Sequence, residues 1–306
     1  MNVAPSAVAA SPQTAMLRAM PWIFVLIWST GFIVARYGMP LAPPMKFLAW
    51  RFALSILCFL LWIAWARVAW PRSRAQWLHL AVVGALMQAG YLGGVWTAVK
   101  AGMGSGLASL IVGLQPVLTA VWLSGMGGAD EQVNRRQWAG LLLGFAGLAL
   151  VVGGKLGQGT EVTWLTLGAT GVALCGITIG TLYQKRFVLP CDVRSASAVQ
   201  LLAGLALVLP LSLFETESIQ WTAQFAGAMA WSVLVLTLGG SSLLYLLIQK
   251  GAATQVTSLL YMVPPCTALL AWLLFAEPIT LATLGGIVLT AWGVSWVVKP
   301  SGIRHG

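Results

Sequence analysis

Polar residues along this chain are confined to short breaks between long apolar runs. Ten such runs cover 21–37, 44–65, 76–99, 104–124, 136–154, 163–185, 194–214, 222–249, 254–275 and 278–298. A helix of about 20 mainly apolar residues crosses a hydrocarbon core of roughly 30 Å. The pattern therefore predicts ten transmembrane helices. The breaks carry turn chemistry, as in Gly38-Met39-Pro40, Pro71-Arg72-Ser73 and Gly125-Met126-Gly127-Gly128. They shrink to a few residues before the fourth and ninth runs. Residues 1–19 are rich in Ala, Ser and Pro and read as a disordered cytoplasmic tail. The first run lacks a clear small-residue cleavage site and further spans follow at once, so it does not read as a signal peptide.

Composition sharpens this picture. Hydrophobic residues make up 59% of the 306 residues and charged ones 8%, against about 45–50% and 25% in soluble domains. A single water-soluble globule is excluded, as is a disordered chain. The net charge of +10 does not point to nucleic acid, because Lys and Arg occur in ones and twos with no aromatic-interleaved basic stripe. Cys58, Cys175, Cys191 and Cys266 lie far apart and suggest neither a disulfide framework nor a metal pair. His79 and His305 are too few for a zinc site. No cofactor is expected.

The cations orient the spans. With the N-terminus inside, twelve Lys and Arg fall in cytoplasmic segments, among them Arg67, Arg72, Arg74, Lys185 and Arg186. Only Arg36, Lys46, Lys100 and Lys155 fall outside, and Arg51 lies within the second run. This three-to-one bias predicts both termini cytoplasmic. Trp22, Trp77, Trp138, Trp164, Trp221 and Trp296 sit near span ends, as an interfacial belt requires. Trp28, Trp96 and Trp122 lie deeper.

The chain also repeats itself. Glu131 is followed by Gly140 and Gly147, and Glu277 by Gly286 and Gly293 at the same intervals. Upstream, Pro116-Val117-Leu118-Thr119-Ala120 answers Pro264-Pro265-Cys266-Thr267-Ala268. The organisation expected is a tail at 1–19, repeats at 20–155 and 156–300, and a cytoplasmic tail at 301–306. Each repeat crosses the membrane five times, so the second enters from the opposite side. The halves are then related by a pseudo-twofold axis in the membrane plane, and such pairs hold a site near mid-membrane that opens alternately to each side.

At this point the sequence resembles a family. Trp28-Ser29-Thr30-Gly31-Phe32-Ile33 and Phe47-Leu48-Ala49-Trp50-Arg51-Phe52 are similar to the opening of an EamA-type member of the drug/metabolite transporter superfamily. The Pro116 block, the Glu277-Pro278 step and the glycine-rich tenth run resemble that family's repeat. The resemblance covers roughly residues 20–300. It implies an all-α integral membrane protein, with ten transmembrane helices in two inverted five-helix repeats around a central cavity. Runs 1, 3, 4, 6, 8 and 9 would line that cavity. It also implies export of small metabolites, amino acids or drugs. The first repeat departs from the pattern at its acid, where Gly127-Gly128-Ala129-Asp130 lengthens the loop before Glu131.

Inside a bilayer each polar side chain must find a partner or a water-filled cavity. Gln88 and Tyr91, three apart, share one helical face, with Trp96 farther along. Tyr245 aligns with Trp96 by the repeat. With Trp28, Gln115, Tyr183 and Tyr261 these are the candidate substrate-binding residues, able to enclose a mostly apolar solute and satisfy its polar atoms. The competing reading is helix–helix hydrogen bonding, worth about 0.6 kcal/mol per contact. Arg51 is either a snorkelling cation or a counter-charge for a substrate carboxylate at the outer mouth; its repeat partner is Gln200. Pro116 and Pro264 remove helical hydrogen bonds at matching places and read as hinges or as static bends.

The seven acids, Asp130, Glu131, Glu161, Asp192, Glu215, Glu217 and Glu277, all map to loops or span ends. Glu277-Pro278 reads as the start of the tenth helix. Gly102-Met103-Gly104-Ser105-Gly106 lacks a Walker lysine and a preceding strand, so it reads as a turn. The expected function is a secondary active exporter of the bacterial inner membrane working by alternating access. Its partners would be a small-molecule substrate and the lipid bilayer, and a monomer and a homodimer fit equally. The rivals are a channel-like facilitator and a membrane enzyme acting on lipid-linked substrates. The latter needs clustered acids, histidines or a nucleophile, and the acids are scattered.

Overall fold

The computed structural model describes residues 12–126, 135–155, 161–240, 243 and 262–298. Within them the helices are α1 (Pro12–Gly38), α2 (Pro44–Ala66), α3 (Arg74–Lys100), α4 (Ser105–Val112), α5 (Gln115–Met126), α6 (Arg135–Lys155), α7 (Trp164–Phe187), α8 (Val193–Leu213), α9 (Ala223–Gly239), α10 (Val263–Phe275) and α11 (Leu281–Val298). Each of the ten apolar runs carries helix, and the described residues contain no strand. By length and composition α2, α3, α7 and α8 suffice to cross a bilayer, and the remaining runs hold shorter apolar helices. The fold is an all-α membrane bundle.

Local chemistry fixes where these helices start. Ser73, Thr163, Asp192 and Thr222 each place a side-chain oxygen on the first free N–H groups of α3, α7, α8 and α9, satisfying donors that have no intrahelical acceptor. Hydrogen bonds from Arg194 hold the Asp192 carboxyl below the usual carboxylate range. In α2, Pro44 occupies the first turn, where its missing N–H costs nothing.

Three boundaries differ from expectation. α1 begins at Pro12 and takes in part of the stretch expected as a tail; a proline is suited to a first helical position, and the Gln, Ala, Met and Leu that follow favour helix. The fourth run is broken at Gly113-Leu114, where Leu114 N donates to Ile111 O in a tighter turn. Glu277-Pro278 lies ahead of α11 and does not start it, because Thr280 accepts from Thr283 N and caps the helix there.

Two helices contain widened turns. Ala85–Leu92 of α3 and Trp231–Gly239 of α9 are π-helical, a rare form that is frequent at functional sites. Arg51 and Gln200, like Trp96 and Tyr245, are 149 apart, and this spacing carries residue 85 to 234. The two π segments therefore occupy corresponding parts of the repeats.

The repeats pack as a twofold would arrange them. α2 lies along α8, and α6 along α11, each a helix with its own repeat counterpart. At the second interface a Cβ on Gly147 would stand 2.6 Å from Gly286 O, and one on Gly293 would collide with Gly140 O and the Gly144 backbone. Gly147 thus meets the counterpart of Gly140, while Gly140 meets the counterpart of Gly147. This reciprocal pairing is the mark of a twofold interface.

The turns gather at two ends. At one, here the upper end, Glu215 accepts Met45 N and Lys46 N, both at 2.8 Å, and Gln220 N donates to Leu41 O. Lys100 pairs with Glu217. Glu277 accepts Ser105 N and Oγ at 3.1 and 3.0 Å, with Arg36 Nε 3.9 Å away. It therefore caps α4, in the other repeat. A seven-residue turn, Glu277 N to Ala271 O, closes α10 and aims Glu277 there. At the lower end the Gln76 amide exchanges hydrogen bonds with the Leu189 backbone, and His79 Nδ1 lies 2.9 Å from the Tyr183 hydroxyl.

Candidate functional site

A cavity of about 110 Å³ opens between the repeats. Its walls come from α1 (Trp28, Gly31, Phe32), α2 (Arg51), α3 (Met87, Gln88, Tyr91, Leu92, Val95, Trp96) and α9 (Leu236, Thr237). At 1.5 Å per residue, Arg51 sits about 10 Å along α2 from Pro44 and Trp28 about 15 Å back along α1 from Gly38. Half of a roughly 30 Å hydrocarbon core is about 15 Å, so the site lies near the middle of the helices.

The close approach of the repeats shapes this space. Gly31 faces Leu236, and its counterpart Gly180 faces Met87, the counterpart of Leu236. Gly176 of α7 presses on Leu86 O and Tyr91 N within the π segment of α3. The π register lies at the cavity wall and carries Gln88 and Tyr91. On α9 the π segment brings in Leu236 and Thr237.

The polar groups are few. Arg51 is 7% exposed and donates from Nε and Nη2 to Thr237 Oγ1 at 3.3 and 3.2 Å. Thr237 Oγ1 in turn donates to Ser232 O at 2.9 Å. Among the described residues Arg51 has no carboxylate partner. Trp96 is buried against Phe47, ring centroids 4.3 Å apart, which fixes one wall.

The cavity brings together Trp28, Arg51, Gln88, Tyr91 and Trp96. Arg51, expected at the outer mouth, belongs to this inner cluster. Gln115 lies apart: its amide donates to Thr181 Oγ1 at 3.1 Å, and with Pro116 it lines a smaller neighbouring cavity. Trp28 and Phe32 contribute to both spaces and form the partition between them. Tyr183 is at the lower end with His79 and Phe187. Pro116 stands in the first turn of α5, just past the break, and Pro264 in the first turn of α10, against Gly113. Tyr245 and Tyr261 lie outside the described residues.

Sequence reasoning missed Thr237, although the signal existed. Carrying Gln88 forward by the same 149 residues lands on it. No group of three or more His, Cys, Asp or Glu fit to hold a metal occurs among the described residues.

Two inverted helical repeats enclosing a mid-bundle cavity define a polytopic membrane transporter. Comparison with known proteins gives the family. The EamA-like transporter family matches residues 19–153 and again 161–299, and the chain belongs to that family. It is 30% identical to the uncharacterized transporter YvbV of Bacillus subtilis, over 90% of this chain and 88% of that one. It is 24% identical to the uncharacterized inner membrane transporter YedA of Escherichia coli K12, over 69% and 66%. A probable amino-acid metabolite efflux pump of Salmonella typhimurium matches at 27% over half of each chain. A solved crystal structure shares the fold with a TM-score of 0.64 at 17% identity, covering 92% of this chain and 96% of that one.

Proposed function

We propose that the protein is a secondary active transporter that exports small metabolites across the inner membrane by alternating access. The observation that carries this reading is the cavity itself, walled by α1, α2 and α3 of one repeat and by α9 of the other. A site at a twofold interface is exposed to one side or the other when the two halves exchange conformations. Units at 20–155 and 156–300 are the parts that would move. The efflux pump named among the relatives supports export.

Charge supports an orientation. The lower end holds Arg67, Arg72, Arg74, Arg135, Arg136, Lys185, Arg186 and Arg194 against Asp192 alone among the described residues, whereas Glu161, Glu215, Glu217 and Glu277 all lie at the upper end. A cation-rich lower end is then cytoplasmic, with both termini.

The test is counterflow. Purified protein in liposomes preloaded with an unlabelled metabolite panel takes up the labelled member saturably and only when the matching solute is inside. Flux that never saturates and shows no counterflow would establish a channel, and no flux for any member would remove the transport reading.

A further inference from the structure

Among the described residues, nothing in the cavity neutralises the positive charge of Arg51. Arg51 offers five N–H donors in a rigid fork, yet two of them share one hydroxyl oxygen at 3.2 and 3.3 Å. One distance is at the long limit of the usual range for N–H···O bonds and the other just past it. That oxygen already donates its own proton to Ser232 O, so it accepts from Arg51 as a neutral, single-atom partner. A charged residue only 7% exposed in a lipid-embedded bundle is costly unless an anion meets it. The described acids lie elsewhere. Glu215, Glu217 and Glu277 hold the upper end, Glu161 lies beside Gly104, and Asp192 pairs with Arg194.

The rest of the described wall is apolar or neutral. Trp28, Phe32, Val95 and Trp96 present rings and methyls, and Gln88 and Tyr91 offer uncharged hydrogen-bonding groups. A planar two-oxygen anion matches the fork bidentately, with shorter bonds than Thr237 provides. A dianion would leave one charge uncompensated, and an ammonium would meet no carboxylate among the described lining residues. At about 10–15 Å³ per water-sized position, the 110 Å³ accommodates roughly ten non-hydrogen atoms.

We propose that the cavity takes a small organic monocarboxylate, whose carboxylate replaces Thr237 as the partner of Arg51 and whose apolar body lies against Trp28, Phe32 and Trp96. This rests on the transport reading for its setting, while its chemistry is read by binding alone.

The experiment titrates the full-length protein in lipid nanodiscs with four probes that share a ring and differ in charge: phenylacetate, phenylalanine, 2-phenylethylamine and 2-phenylethanol, at neutral pH. Phenylacetate is expected to bind about 10-fold or more tighter than each of the others. Arg51→Gln lowers its affinity by about 10-fold or more and leaves that for 2-phenylethanol within about 3-fold; Arg51→Lys keeps part of the preference. The comparison across charges on the unaltered protein stands even if a variant fails to fold. Equal affinity for phenylacetate and 2-phenylethanol, binding of none of the four, or an Arg51→Gln protein with unchanged phenylacetate affinity overturns the monocarboxylate assignment. Saturable counterflow of a zwitterion that Arg51→Gln leaves intact overturns it too while preserving transport. Phenylacetate binding without counterflow of any solute supports the site and removes the transport reading instead.

Discussion

Thr237 is the residue on which Arg51 rests. It is 8% exposed, sits in the π segment of α9, and supplies the hydroxyl that Arg51 reaches across from the other repeat. Replacing it with valine keeps the branched shape and removes the acceptor. A buried donor left without a partner costs about 1–3 kcal/mol, so Thr237→Val is expected to lose about that much stability and to unfold at a lower temperature, and Thr237→Ser to recover most of the loss. Thermal unfolding of the ligand-free protein in one detergent checks this; a valine variant as stable as the parent would show that Arg51 finds other partners. Much at this scale was legible in the sequence. Trp28, Gln88, Tyr91 and Trp96 were polar or aromatic residues at depths where each needs a reason, and they converge. Tyr183 met the same criterion yet serves the lower-end contact with His79. Depth along one helix does not say which neighbour the side chain faces, and here α3 decided it.

Elements were legible where apolar length and caps agree, and less so where tertiary contact sets the geometry. The ten runs follow from hydropathy because the bilayer demands unbroken apolar helix. The π segments at 85–92 and 231–239 do not, since nothing in those residues alone distinguishes an i+5 from an i+4 hydrogen bond. They form where α3 is pressed by Gly176 and where α9 adjoins α1 and α2. Glu277 shows the same limit: its position before a proline reads as a local helix start, whereas its carboxylate serves α4 of the other repeat. The glycines tell the opposite story, for the four aligned by the repeat all meet between α6 and α11. Gly147→Ala and Gly293→Ala each drive a methyl into backbone, which cannot move aside as a flexible side chain would. Each is expected to destabilise by about 1–3 kcal/mol, and the two by similar amounts because the contacts are twofold-related. Denaturation in mixed micelles measures both; a large effect from one and none from the other would break the reciprocity of the interface.

For the whole molecule, the arrangement of turns constrains how the chain crosses the membrane. The turns after α1, α3 and α8, the stretch before α7 and the turn before α11 meet at the upper end, through Leu41, Gly104, Glu161, Glu215 and Glu277. The turns after α2 and α7 meet at the lower end, through Gln76 and Leu189. The proposed orientation puts the cation-rich lower end in the cytoplasm, because loop cations are held back from translocation during insertion. Arg72 and Ser218 are exposed at opposite ends, and Cys58, Cys175, Cys191 and Cys266 are free thiols that alanine can replace. In that cysteine-free background, Ser218→Cys is expected to react with a membrane-impermeant maleimide on intact cells, and Arg72→Cys only after the membrane is opened. Reversed reactivity would turn the molecule over, and a cavity filled from below would then deliver solute inward. Reaction of both from outside would mean that the two clusters of turns do not face opposite sides, which the inverted repeat cannot survive.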